Sequence, residues 1–137
     1  MTFLLLAALL AFDLAAIRNE PNPERRCELA LAEADVAVTA AQQAYASDNL
    51  EKTRIALDEV GEAVDLAHQS LTASGKDPRR NPKRFKSAEL SVRKILRRLE
   101  GLRDAMNSAD RELVDPVRER AGEVRDALIL GIMGKKR

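Results

Sequence analysis

The side chains that most often perform acid–base or nucleophilic catalysis are scarce in this sequence, which has one histidine, His68, and one cysteine, Cys27. A Ser-His-Asp or Cys-His arrangement would have to use His68, and no spacing places Cys27 or a serine beside it. The chain also lacks a glycine-rich phosphate loop, a CxxC pair and an HExxH motif. We therefore predict a protein that is not an enzyme and has no small-molecule substrate, with Cys27 as a small apolar residue on a helix face.

His68 leaves one cofactor hypothesis open. His68 and Met106, on adjacent helices of a bundle, could hold a b-type haem, and Asp65-x-x-His68 approaches the Glu-x-x-His spacing of di-iron bundles. The sequence has no CxxCH attachment motif and no second acid-x-x-His pair. The prediction is therefore no cofactor, with a haem or metal bundle at His68 as the last alternative.

Charge is unevenly distributed along the chain, although the formal net charge is only +1. Residues 20–75 contain 11 acidic and 4 basic side chains, a net charge of −7, whereas residues 76–98 contain 10 basic and 2 acidic ones, a net charge of +8. One interpretation is a surface that binds a polyanion or an anionic envelope surface. Its candidate contact residues, besides Lys76, are Arg79, Arg80, Lys83, Arg84, Lys86, Arg93, Lys94, Arg97 and Arg98.

A second interpretation of the charge needs no external partner. The basic helix would lie beside the acidic first pair of helices, and partly exposed ion pairs would fix which helices are neighbours. Sequence-specific nucleic-acid binding is not expected, because no base-reading motif is present and Phe85, the aromatic residue of the basic segment, takes a core position. Lys83 and Arg84 in a first helical turn oppose the helix dipole, which favours an anion there.

Helices must position these side chains, because apolar residues recur at alternating steps of three and four. The first three stripes are Cys27, Leu31, Ala34, Val38, Ala41, Tyr45, then Leu50, Thr53, Leu57, Val60, Val64, Ala67, Leu71, then Phe85, Ala88, Val92, Ile95, Leu99, Leu102, Met106. A fourth stripe comprises Val117, Ala121, Val124 and Leu128.

Local signals for helix ends accompany the stripes. They are Asn22 with Pro23, Asp48 with Glu51, Gly75, and Asn81 with Pro82. The asparagines are predicted N-caps, the Asp-Glu pair a capping box, and Gly75 a left-handed residue that ends the second helix. Losing the Asn81 cap is expected to cost about 1 kcal/mol.

The boundary between the third and fourth helices is predicted within residues 107–116. Either the third helix ends near Met106 and the fourth is kinked at Pro116, or the third continues through Ala109 and Leu113 and the fourth begins at Pro116. The sequence leaves both alternatives open.

Amphipathic segments with short connections predict an all-α fold, an antiparallel up-down helical bundle of three to four helices. The first helix is rich in alanine, which allows close approach of a second helix. We therefore expect the protein to act by contact with a protein partner or as a structural element. For that partner we expect an exposed apolar or acidic patch on the first two helices, whose alanine-rich faces allow close helix approach through Ala30, Ala34, Ala37, Ala41 and Ala44.

The N-terminus contains ten uninterrupted apolar residues, Phe3 to Phe12. This length matches the apolar region of a signal peptide and is too short to span a bilayer. We predict a signal peptide over 1–16, a bundle domain over 17–134 and a basic tail over 135–137. The protein would then be exported, periplasmic or secreted, without a transmembrane span in its mature chain.

Overall fold

The computed structural model of this chain describes residues 14–134. Four long helices account for most of that range, α1 (Pro23–Ala46), α2 (Leu50–Ala73), α3 (Pro82–Ala105) and α4 (Asp115–Met133). The 3₁₀ helix Ser108–Leu113 joins α3 to α4, and residues 14–18 form a short helical stretch. No strand occurs between residues 14 and 134, and the predicted all-α bundle is confirmed.

The four helices form two antiparallel hairpins, α1/α2 and α3/α4. The hairpins pack side by side, so that α1 also contacts α3 and α2 contacts α4, each pair running parallel. Consecutive helices α2 and α3 make few contacts, because the connection 74–81 crosses the bundle diagonally. The order of the helices around the bundle, which the sequence left open, is α1, α2, α4, α3.

Many of the side chains buried in the α1/α2 hairpin are small, beside leucines and valines such as Val38, Leu57 and Val60. Ala30, Ala34, Ala37 and Ala41 are at most 2% exposed, and α2 buries three alanines and one glycine. Because small side chains let helix backbones approach closely, this pair has the most extensive contact in the bundle. Four of the five alanines named above are therefore buried within the monomer, and the fifth, Ala44, is half-buried.

Larger side chains fill the α3/α4 hairpin. The buried residues are Phe85, Val92, Ile95, Leu99 and Leu102 from α3, with Val117, Val124 and Leu128 from α4. They fall on the predicted stripes, because helical spacing alone determines which residues share a face.

Helix starts confirm one predicted cap and correct two. Asn22 caps α1, since its side-chain oxygen accepts hydrogen bonds from the amides of Glu24 and Arg25 at 3.0 and 3.2 Å. The Asp48 capping box is wrong: Asn49 caps α2 by accepting from the Lys52 amide at 3.0 Å. Asp48 instead has a φ of 59°, the left-handed conformation that reverses the chain between α1 and α2.

Asn81 occupies the cap position of α3 without capping it. Its side chain accepts no hydrogen bond from the first turn, and its own amide donates to the Asp77 carbonyl at 2.9 Å. The residue closes the preceding turn, so the expected contribution of about 1 kcal/mol from an Asn81 cap has no hydrogen bond to support it. Gly75 does adopt the predicted left-handed conformation, with a φ of 71°.

The connection between α3 and α4 combines parts of both predicted alternatives. The third helix ends before Met106, as the first alternative states, and the fourth begins at Asp115, close to the start in the second. Between them, the Tyr45 hydroxyl accepts from the Asn107 amide and donates to Asp110, both at 2.9 Å. This bond network fixes the turn against the end of α1.

The predicted leader reaches into the described residues only at its end. Leu14 and Ile17 belong to the buried core cluster, 7% and 9% exposed, and Arg18 lies 3.9 Å from Glu62. The apolar run before Leu14 and the basic tail 135–137 lie outside the described residues. Among residues 14–134, no helix combines the length and the apolar character that crossing a membrane requires.

Candidate anion-binding surface

One part of the basic segment faces α1 and is neutralised there. Lys76 lies 3.0 Å from Glu24, and Arg84 pairs with Glu28. Arg98 lies 2.7 Å from Asp35, and its other guanidinium nitrogen donates to Thr39 and Gln42. These three cations form the ion pairs that the second interpretation of the charge expects.

A second part of the segment lies against α4. Arg93 donates two hydrogen bonds to Glu89 within α3, at 2.6 and 3.0 Å, and Arg125 from α4 donates a third at 2.9 Å. The Glu89 side chain is only 8% exposed. The hydrogen bond from Arg93, aided by that from Arg125, outweighs burial and lowers the pKa of Glu89. The Glu89 carboxylate therefore stays ionised at neutral pH. Together with Arg93 and Arg125 it forms a cluster with a net charge of +1.

The third part faces outward along α3. Lys83, Lys86, Lys94 and Arg97 are exposed, and within the described part of the chain none has a carboxylate oxygen within 4.0 Å. Their positions follow one stripe on the helix side away from the core, over about 21 Å at 1.5 Å per residue. We call these four residues the outward cations.

Arg79 and Arg80 lie just before α3 in the connection 74–81. Arg79 is 3.6 Å from Asp77, and its side chain packs closely on Gly134 at the end of α4. Arg80 is exposed and has no ion pair within the range 14–134. Arg80 therefore adds one exposed cation just before the start of α3.

Apolar side chains interrupt this basic surface. Leu90, 56% exposed, lies in the middle of the stripe of outward cations, four residues from Lys86 and Lys94. From Leu90 a shallow groove of about 330 Å³ runs between α3 and α4, with Ile129, Ile132 and Met133 along it and Lys86 and Arg93 at its edge. Met133 is 74% exposed.

A second groove, of about 390 Å³, lies between α1 and α3. Cys27 lines it but is 4% exposed, and burial raises the pKa of its thiol to about 12 although Arg84 acts in the opposite direction. The thiol is therefore protonated at neutral pH and is a poor nucleophile. Acids and bases line this groove together, Glu28 and Asp35 with Arg84 and Lys94, so it has no single charge preference.

The haem hypothesis fails on geometry. Met106 lies beside Asn107 and Tyr45, at the end of the bundle where α2 begins, whereas His68 lies near the opposite end of α2. Roughly 20 Å of helix separates the two levels, so the two side chains cannot both bind one iron. Asp65 pairs with Arg120, and no three His, Cys, Asp or Glu side chains between residues 14 and 134 could hold a metal ion.

The structure thus divides the predicted anion-binding residues. Arg84, Arg93 and Arg98 are paired, Arg79 lies near Asp77, and five residues, Arg80, Lys83, Lys86, Lys94 and Arg97, are open to solvent. Leu90 and the groove beside it were not among the residues predicted from the sequence. The available signal was a leucine that falls off the core stripe and among cations.

Comparisons of this chain with models of protein families, with curated proteins and with solved structures give no match. The fold defines an all-α helical bundle, and the function must be argued from the surface just described.

Proposed function

We propose that this protein is a non-catalytic binding protein that associates with an anionic polymer or an anionic surface through the outward cations of α3. One observation carries the proposal. Arg84, Arg93 and Arg98 have carboxylate partners, whereas the four outward cations have none among the described residues, although Lys94 and Lys86 border the grooves beside α1 and α4. Four like charges on one helix face repel one another, and an external anion relieves that repulsion.

The packing of α1 supports this choice over contact through the alanine faces. Burial of Ala30, Ala34, Ala37 and Ala41 leaves those side chains no surface for a partner. The apolar run Phe3–Phe12 supports export as part of the proposal, which would bring the protein to an extracytoplasmic anionic surface.

The test measures retention on immobilised heparin, as a generic polyanion, for a variant with Lys83, Lys86, Lys94 and Arg97 all changed to Ala. We expect this variant to elute at much lower salt than the unmodified protein. For about four phosphates engaged, the log–log salt slope for duplex DNA, a second generic polyanion, should be near −4 and should vanish in the variant.

The matched control changes four cations elsewhere, Arg18, Arg25, Lys52 and Arg54, to Ala. Both variants lose the same net charge, and the control residues are exposed. Equal loss of heparin retention in the two variants, or no loss in the first, would refute the assignment to α3.

A further inference from the structure

We propose that the anionic surface is a lipid membrane, and that Leu90, Ile129, Ile132 and Met133 enter its interfacial layer while the outward cations contact the headgroups. The inference rests on the proposed function and assigns the partner of the same surface. Its test is therefore built to fail separately from the heparin experiment.

The first argument is the position of Leu90. Lys83, Lys86, Lys94 and Arg97 lie seven and four residues before it and four and seven residues after it, so all five share one exposed face of α3. A leucine at the centre of a purely electrostatic site would meet the charged backbone of a polyanion and gain nothing. At a membrane the same arrangement places an apolar side chain below the headgroups and cations at their level.

The second argument is that the apolar surface continues onto a second helix. Ile129, Ile132 and Met133 extend it from Leu90 across the groove to the end of α4. Leu90 and Met133 are each more than half exposed, so they project from the surface and leave no deep pocket for a protein side chain. Projecting apolar residues match a fluid interface better than a preformed partner, which needs complementary cavities.

The third argument is the concentration of charge around Met133. The connection 74–81 packs on the end of α4, with Pro78 against Gly131 and Arg79 against Gly134. This contact brings the exposed Arg80 to the same end of the bundle. Basic residues flanking an apolar patch are what attracts a protein to anionic lipid.

Two other classes of partner fit less well. Binders of single-stranded nucleic acid stack bases on exposed aromatic rings, and the aromatic residues of the described chain are Phe85, 7% exposed, and Tyr45, which is hydrogen-bonded at the other end of the bundle. An acidic amphipathic helix would satisfy the cations. It would also need a long apolar groove, and here the apolar surface is short and projecting.

The experiment measures flotation with vesicles of equimolar phosphatidylglycerol and phosphatidylcholine, and with vesicles of phosphatidylcholine alone. A variant with Leu90→Gln and Met133→Gln keeps every charge and a helix-compatible side chain. We expect its affinity for the anionic vesicles to fall about tenfold or more, whereas its retention on heparin should stay unchanged. Phosphatidylcholine vesicles should bind neither protein.

The matched control is Leu50→Gln with Ile55→Gln on α2. Those residues are 47% and 54% exposed, so a similar apolar area is lost at a distance from the cations. Vesicle binding of this control should equal that of the unmodified protein.

A second readout places an environment-sensitive fluorophore on Leu90→Cys. Cys27 is buried and its thiol pKa is raised, so labelling at position 90 is selective. We expect a blue shift of emission with anionic vesicles and none with heparin. The membrane assignment would be overturned if Leu90→Gln with Met133→Gln left vesicle binding unchanged and the fluorophore showed no blue shift. That outcome would leave charge-driven binding intact. Retention on heparin without any vesicle binding would also overturn it and favour a soluble polyanion.

Discussion

The two hairpins of this bundle are built on opposite principles. The α1/α2 hairpin is acidic, and its interior combines the fully buried alanines of α1 with leucines and valines such as Leu57, Val60 and Val64 of α2. The α3/α4 hairpin encloses bulkier residues, and arginines from both helices hold it together: Arg103 lies 2.7 Å from Asp115 and Arg118 2.7 Å from Glu100. The comparison teaches that the alanine-rich interface and the outward positive charge belong to different hairpins of this chain. The hairpin with the extended ion-pair network is also the one that presents unpaired cations.

The largest effect should come from enlarging the interior of the first hairpin. Ala34 has no exposed surface, and Ala34→Leu adds three carbons on the buried face of α1. We expect the free energy of unfolding to fall by about 2–3 kcal/mol in urea denaturation. Ala32→Leu, the same change at an exposed position of α1, should alter it by less than about 0.5 kcal/mol.

The same enlargement between the two hairpins sharpens this contrast. Ala88 is buried on α3 but lines the groove of about 390 Å³ beside α1. The groove can accept added carbons, so Ala88→Leu should cost less than Ala34→Leu. Equal costs would mean that the interface between α1 and α2 tolerates added volume as well as the groove between α1 and α3 does.

A smaller effect is expected from Glu89, which joins α3 to α4 through two arginines. The pKa of Glu89 is lower in the folded protein than its ordinary value of 4.5. The ionised carboxylate therefore stabilises the fold fully at a pH well above 4.5, and this stabilisation is lost as the pH falls through the pKa that Glu89 has in the folded protein. Glu89→Gln should reduce the free energy of unfolding by about 1–2 kcal/mol at pH 7, since hydrogen bonds to an ionised group are weakened. Urea denaturation of both proteins at pH 7 and at pH 3 measures this effect. The difference in free energy of unfolding between the variant and the unmodified protein should be smaller at pH 3. A difference that does not depend on pH would show that the ionised carboxylate has no special role.

The smallest effect compares the helix starts of the two hairpins. Asn49→Ala removes the hydrogen bond to the Lys52 amide and should cost about 1 kcal/mol, whereas Asn81→Ala removes no such bond and should cost only a few tenths. Thermal unfolding of the two variants side by side checks this. The reverse order would mean that the Asn81 side chain caps α3 in solution.

Helix positions were predictable from sequence because the stripe spacing is a local property. Helix caps were less predictable. Asp48 and Asn49 are adjacent residues of similar chemistry, and the chain reversal between α1 and α2 decides which of them caps α2. The order of the helices was not predictable, because it depends on contacts between distant segments. For the same reason, the sequence could not divide the basic residues into paired and outward ones: that division follows from α1, and not α2, lying beside α3.

The diagonal course of residues 74–81 also bears on assembly. This connection alone joins the two hairpins covalently, and each hairpin is continuous in sequence. Two copies could therefore exchange hairpins by opening only this segment, giving an intertwined dimer with every interior contact retained. Such a swapped particle would carry the basic face of α3 twice, and two weak attachments to one surface would act with the avidity of a bivalent ligand.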